Sequence, residues 1–315
     1  MNTLEKMIVL ESKIHESLQH IIQSDYWLLE VPYYDNIGDT LIWQGEMDFL
    51  KNIPFKCKGM FALETFKFPE IKETDIILFQ GGGNFGDLWT KHHDFKMEVV
   101  RRYPKNKFLF FPQTVYFEKR ENLEACARFL SQYDVTICAR DRVSYQTLCH
   151  HFKNKILLVP DMAFCMNMKK WQKTSYRAAE IPLILKRSDK ELKVSFALER
   201  CLQTVIPATV MDWPTMGAWN RIEYFKWQVL RVARKFRQLW MYDVYMRYIY
   251  RPYLIKAGIG ILKSHTDIYT TRLHTCILSI LLEKEKIFFF DNSYGKNKQF
   301  YDTWLMDCEN VQMME

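Results

Sequence analysis

Disulfide and zinc frameworks are missing from this 315-residue chain. Its eight cysteines are scattered. No two form a C-x-x-C pair, and none stands at zinc-site spacing from a histidine, so reduced, mostly buried thiols of the cytosolic kind are expected. Long apolar runs are absent too, and nothing approaches the roughly 20 residues that span a bilayer. The N-terminal stretch MNTLEKMIVLESKIHESLQH lacks the basic start and apolar core of a secretory leader. Leu4, Met7, Ile8, Ile14 and Leu18 instead recur at helical spacing, and a surface helix is expected there. Charge of one sign is weak. The 44 Lys and Arg exceed the 37 Asp and Glu by seven, which leans toward anionic partners but is not the footprint of a dedicated nucleic-acid binder. Glycine is scarce, 11 in all, yet four glycines fall between residues 81 and 86.

At 48% hydrophobic residues, the chain has apolar mass enough for two α/β domains. YWLLEVPYY reads as a buried strand, and DNIGDTLIWQGEMDFL turns through Gly38 into a helix. TDIILFQGGGNFGDLW repeats the design, with a strand at 76–79, a glycine turn, and a helix from about Leu88. Asn36-Ile37-Gly38-Asp39 and Asn84-Phe85-Gly86-Asp87 then look like one recurring strand-turn-helix device. Further strands are expected in KFLFFPQT, VTICARD, KILLVPDMAF, PLILKRSDKE, PATVMDW, DIYTT and KIFFF, with helices near 121–132, 142–152, 221 onward, LHTCILSILLE and 297–306. Strands that are apolar throughout and alternate with helices imply parallel sheets covered on both faces. The pattern lapses between about 168 and 182, which predicts domains 1–175 and 176–315, with a last helix able to pack back on the first domain.

Gly81, Gly83 and Gly86 satisfy G-x-G-x-x-G after a strand. The acidic residue that a dinucleotide ribose needs about 20 positions on is missing, because KFLFF runs into Pro112-Gln113. The glycines read either as positions of positive φ and tight packing or as the floor of a ligand crevice. Asp39 and Asp87 likewise read as site residues or as helix caps.

The ordered set NIGDTLI, GGGNFGDLW, PQT, RDRVSY, PDMAF, LKRSDKE, TTRLHTCILSILL and DNSYGKNKQFYDTW resembles the polysaccharide pyruvyl transferases over most of residues 30–306. The region 214–262 has no counterpart in that pattern. The resemblance implies two Rossmann-like domains facing a cleft, as in GT-B glycosyltransferases, with the donor held mainly by the C-terminal domain. It implies transfer of the enolpyruvyl unit of phosphoenolpyruvate onto two sugar hydroxyls, giving a pyruvate ketal and phosphate, with no cofactor and no metal.

Phosphoenolpyruvate carries a carboxylate and a phosphate, so its site calls for cationic donors and favours a helix N-terminus. Arg272 and the backbone N–H of Leu273 fit that need between DIYTT and the next helix. His274 is the expected acid/base. Arg187 and Arg140 compete as a second anion clamp, and Arg187 is preferred; either also reads as an ordinary ion-pair residue. Asn36, Gly82, Gly83, Asn84, Asn292 and Tyr294 are expected to line the acceptor side, with Asp39 or Asp87 as a base. The other seven histidines are expected at the surface.

Residues 221–251 mix Arg and Lys with Trp, Tyr and Phe at helical spacing. They read either as a membrane-surface patch meeting a lipid-linked sugar or as a helix with an aromatic core face and solvated cations. Nucleic acid is not expected as a partner. The expected setting is the cytoplasm, at the inner face of the membrane. Two alternatives stand beside the pyruvyl transferase: a GT-B glycosyltransferase using a sugar nucleotide, and a non-catalytic glycan-binding assembly subunit.

Overall fold

A computed structural model describes residues 1–171, 181–214 and 221–315; the expected boundary at 168–182 lies largely outside them. Contacts divide the chain into two compact units. One comprises Val9–Pro32 and Ile42–Met166, and the other Met1–Ile8, Tyr33–Leu41 and Asn167–Glu315. Residues 1–175, assigned by sequence position to one domain, thus contribute to both. The last helix belongs to the second unit.

The elements of the first half are α1 (Thr3–Leu18), β1 (Tyr26–Leu29), α2 (Ile37–Leu50), β2 (Cys57–Phe61), β3 (Ile76–Phe79), β4 (Gly82–Gly86), α3 (Thr90–Arg102), β5 (Lys107–Tyr116), α4 (Arg120–Leu130), β6 (Val135–Ala139), α5 (Arg142–His151) and β7 (Lys155–Leu158). Their sheet runs β2-β1-β3-β5-β6-β7, with β4 paired to β5, and every pairing is parallel. β3 is buried at all four positions, as a strand covered on both faces must be. On α4, Leu123, Cys126, Ala127 and Leu130 are buried at i, i+3, i+4 and i+7, one apolar stripe. Phe79, Phe85, Phe95, Phe108 and Phe110 form the aromatic centre of this core.

The second half holds β8 (Leu183–Leu185), α6 (Phe196–Thr204), β9 (Thr209–Met211), α7 (Arg221–Lys235), α8 (Leu239–Tyr245), a π-helical turn at Met246–Tyr250, α9 (Arg251–Lys263), β10 (Ile268–Thr270), α10 (Leu273–Leu281), β11 (Ile287–Phe290), α11 (Lys296–Trp304) and β12 (Val311–Met314). Its sheet runs β12-β11-β10-β8-β9, again parallel throughout. Counted in its own chain order, that is 2-1-3-4-5 read from β9, and the first sheet follows the same order with one strand more along its path and β4 off it. Both are doubly wound Rossmann-like α/β sheets. In each, the order reverses beside the first strand, and ligands of such sheets settle outside the carboxyl ends at that reversal.

The glycine stretch departs from expectation. Gly82–Gly86 is a strand on the second half of β5, and the helix starts at Thr90 rather than Leu88. Gly86 sits at φ 135°, and a Cβ there would lie 1.7 Å from the Tyr116 carbonyl oxygen, so the side chain is cleared away for the neighbouring strand. The 36–39 and 84–87 segments are therefore different devices, one opening a helix and the other closing a strand. In the same unit as the glycine strand, Lys96 is fully buried on Glu30, at 2.6 Å. His92 Nδ1 lies 2.8 Å from the same carboxylate, and His93 packs against Phe85 and Phe117. Neither histidine is the plain surface residue expected. All eight cysteines are free, and among the described residues no helix is long and apolar enough to cross a membrane.

Gly86→Ala should cost at least about 3 kcal/mol in chemical denaturation, since it combines a forbidden φ with a backbone clash. A loss below about 1 kcal/mol would mean that β4 is free to move off β5.

Candidate active site

Parallel pairing sets Leu185, Met211, Thr270 and Phe289 side by side at the ends of four adjacent strands. Each strand runs on, within one to three positions, into a polar residue: Arg187 after β8, Asp212 after β9, Arg272 after β10 and Asn292 after β11. Arg187 and Arg272 thus flank the point where the strand order reverses. The Arg187 N–H donates to Thr271 Oγ1 at 2.9 Å, which ties the two strand ends together.

Both guanidinium groups are buried, Arg187 to 5% and Arg272 to 7% exposure, and both are met by carboxylates. Arg187 grips Asp189 through Nε (2.7 Å) and Nη2 (2.9 Å), and Glu191 through Nη1 (2.7 Å). Arg272 grips Asp212 through Nε (2.5 Å) and Nη2 (2.7 Å), and Nη2 reaches Asp189 at 3.4 Å. Asp212 also accepts from Ser188 N and Oγ and from Trp213 N. Glu191 Oε2 accepts from Lys296 Nζ at 2.9 Å, Tyr294 OH at 3.0 Å and Asn292 Nδ2 at 3.2 Å. Three cations and three carboxylates therefore form one network. Burial opposes ionisation of Asp212, but Arg272 outweighs it and holds the carboxyl below its ordinary range. Glu191 follows the same pattern: burial is outweighed by Lys296, Arg187 and the Tyr294 hydroxyl, and its pKa is lowered to about 2.

Arg272 is the extended residue at the start of α10, so Leu273 and His274 supply the first N–H groups of that helix, which have no intrahelical acceptor. His274 is half-buried. The segment before α2 lies against it, for a Cβ on Gly38 would sit 2.5 Å from His274 Nδ1. Only glycine lets that backbone approach the imidazole. Asn36 caps α2, its Oδ1 accepting from Gly38 N at 2.9 Å, while its Nδ2 and the Tyr34 hydroxyl both donate to Asp39 Oδ2, at 2.8 and 2.9 Å. Asp39 is thus not the cap of α2; its carboxylate is held by two neighbours beside the histidine-bearing turn.

The second unit therefore gathers His274, Arg272, Leu273, Arg187, Asn36, Asp39, Asn292 and Tyr294. Gly82, Gly83, Asn84, Asp87 and Arg140 belong to the other unit. Several expectations change. Arg140 is 1% exposed and bonds Asp161 at 2.8 Å and Thr114 at 2.7 Å, an internal ion pair rather than an anion clamp. Asp87 accepts from Glu118 N, Lys119 N and Asn122 Nδ2, so it ties down the loop that leads into α4. Asn292 is fully buried, its amide committed to Glu191 and its carbonyl to Lys296 N; it fixes the loop instead of facing an acceptor. Tyr294 likewise supports Glu191. Sequence reasoning missed Asp212 and Lys296, and treated Asp189 and Glu191 only as generic ion-pair partners. An acid directly at the carboxyl end of PATVMDW was the available signal for Asp212.

The sequence profile of the polysaccharide pyruvyl transferases matches residues 36–294. The chain belongs to that family. EpsO of Bacillus subtilis (strain 168), which carries a pyruvyl transferase name, is 29% identical over 325 residues, covering all of this chain and 96% of its own length. Pyruvyl transferase 1 of Schizosaccharomyces pombe is 28% identical over 293 residues, covering 89% of this chain and 70% of that one. A crystal structure of a functionally uncharacterised Klebsiella pneumoniae protein superposes with a TM-score of 0.66 over 97% of this chain and 98% of that one, at 18% identity; that likeness is one of fold alone. The family member described here is thus a pyruvyl transferase.

Glu191→Gln should cost roughly 2–4 kcal/mol at neutral pH, because it leaves Arg187 and Lys296 without their shared charge. Glu191 is depressed on folding, so its stabilisation is full above its ordinary value of 4.5 and is lost as pH falls through about 2. Denaturation of both proteins across that range should show the gap closing toward acid. A gap independent of pH would mean that the carboxylate is not ionised in the network.

Proposed function

We propose that this chain moves the enolpyruvyl group of phosphoenolpyruvate onto two hydroxyls of one sugar in a bacterial surface polysaccharide or its lipid-linked precursor. The observation that carries the reading is the turn Arg272-Leu273-His274 at the switch point of a parallel sheet, where a cation, helix N–H groups and an imidazole meet at one strand end. Arg272 still has both protons of Nη1 without a protein acceptor among the described residues, and these are the donors offered to a carboxylate or phosphate. Asp212 and Asp189 fix the plane of that guanidinium, and Arg187 holds Asp189 in place beside it.

The methylene carbon of the donor takes a proton and becomes a methyl group. The oxocarbenium-like carbon so formed accepts the first hydroxyl oxygen; its bond to the phosphate oxygen breaks, and the second hydroxyl oxygen closes the ketal. Two hydroxyl protons are released and one proton is consumed at carbon, so the balance leaves with phosphate. The transfer is redox-neutral, and we assign it no cofactor. His274 is the residue we give the proton transfers, a role suited to imidazole near neutral pH. Asp39, held by Asn36 and Tyr34 beside the same turn, is assigned to orient an acceptor hydroxyl or receive its proton.

Calorimetric titration with phosphoenolpyruvate, beside NAD and UDP-, GDP- and CMP-sugars, tests the donor. Saturable binding of phosphoenolpyruvate alone is expected, abolished in Arg272→Ala and retained in His274→Gln. Turnover of His274→Gln should fall about 10²–10⁴-fold. Tight binding of a nucleotide sugar instead would replace this reading with a glycosyltransferase, and full turnover in the histidine variant would remove His274 from the chemistry.

A further inference from the structure

The crossover from β9 to β10 contains more helix than its topology needs. A parallel connection requires one crossover helix. α9 supplies it, burying Leu254, Ile255, Ile259 and Leu262 and packing against α10. α7 and α8 are additional. They pack on each other and are joined by a three-residue turn in which Arg237 takes φ 56° and Gln238 N donates to Ala233 O at 2.8 Å.

The inner face of this hairpin is conventional and the outer face is not. Leu230, Ala233, Tyr242 and Tyr245 point inward. Outward, Phe225, Val232 and Phe236 stand at i, i+7 and i+11, one line along α7, and Trp240, Val244 and Tyr248 stand at i, i+4 and i+8 along α8 and its continuation. All six are exposed, Phe236 and Trp240 each at 61% and Tyr248 at 70%. An apolar surface of this extent on a soluble face marks an interaction site. Charge specifies the partner. The two acids of residues 221–251, Glu223 and Asp243, are both buried, whereas Arg231, Arg234, Lys235 and Arg237 are exposed; among the described residues none of these four cations pairs with a carboxylate.

We propose that the α7–α8 hairpin is a docking element that seats on an anionic lipid surface, with Phe236 and Trp240 entering the headgroup–acyl boundary and the four cations meeting lipid phosphates. Interleaved aromatic and aliphatic side chains with flanking Arg and Lys match the interfacial zone of a bilayer. A second copy of the same face would bring like charges together. A nucleic acid would stack on the aromatics but would leave Val232 and Val244 without a role. The base of the hairpin also leads to the site, since Lys226 and Tyr250 both bond Asp35, the residue before Asn36. Docking would thus hold the Asn36–Asp39 segment near the membrane surface, where a sugar on a lipid carrier is presented. That last step rests on the pyruvyl-transfer reading; the docking itself does not.

Co-sedimentation of the full chain with phosphatidylcholine vesicles, with and without phosphatidylglycerol, tests the proposal. Binding is expected only to the anionic vesicles and should weaken as salt rises. Removing cations in Arg234→Gln/Lys235→Gln should weaken it roughly fivefold per charge, and Phe236→Ser/Trp240→Ser should abolish it at all salt concentrations. Both variants should keep wild-type melting temperatures and phosphoenolpyruvate titrations, which separates failure of docking from failure of the catalytic reading. Absence of sedimentation with anionic vesicles would overturn the proposal. So would sedimentation unaffected by both variants, or variants that instead dissociate a dimer in analytical ultracentrifugation or lose binding to single-stranded RNA.

Discussion

Two guanidinium groups buried at the carboxyl edge of a parallel sheet must be neutralised where they stand, because an unpaired buried charge costs several kcal/mol. Arg187 and Arg272 meet that constraint with Asp189, Glu191 and Asp212, and much of the second unit follows from it. Asp212 must close β9, Glu191 must turn back toward Lys296 and Tyr294, and Asn292 must be buried to complete the shell around Glu191. The strand ends are thereby fixed by side chains rather than by loop backbone alone.

A neutral network changes how an anion is accommodated. An isolated pair of arginines would hold anions strongly and without discrimination. Arginines already planar against carboxylates present fewer free donors in a defined direction, which favours geometry over raw attraction. Such a site takes its remaining positive potential from the first turn of α10. Gly38 contributes by being small enough to bring the 36–39 segment against His274. The residues that fold the sheet edge and those proposed to serve the reaction are consequently interlocked, and substitutions among them will affect stability and turnover together.

The two sheets share a strand order, yet their switch points are furnished differently. In the first unit the reversal lies beside Glu30 and Gln80, and it is filled internally by Lys96, His92 and the glycine strand on β5. In the second it bears Arg187 and Arg272. Repetition of topology therefore did not repeat chemistry. The α7–α8 hairpin shows the same separation: it rides on a crossover that α9 already completes, and its outer surface is unconstrained by the core.

Strand and helix positions were legible in the sequence because they depend on neighbours within a few residues. IILF and KFLFF read as strands buried on both faces, and LHTCILSILLE read as a helix beside the strand DIYTT. Arg272, His274 and Arg187 could be singled out as candidates because each stands just past a strand end, the first two within a motif of the family pattern. The sequence could not disclose that the Asn36–Asp39 segment belongs with the C-terminal unit, that Gly86 is cleared for the Tyr116 carbonyl rather than a ligand, or that Arg140 and Asn292 are spent internally. Nor could it join Arg272 to Asp212, 60 residues away. Local periodicity and turn chemistry act over one or two turns of chain, whereas the choice of partner for a buried charge is made only when strand pairing brings distant ends together. The sequence by itself determined the α/β class with parallel sheets and the chemistry-bearing residue types; the tertiary structure decided which of those side chains pair with one another.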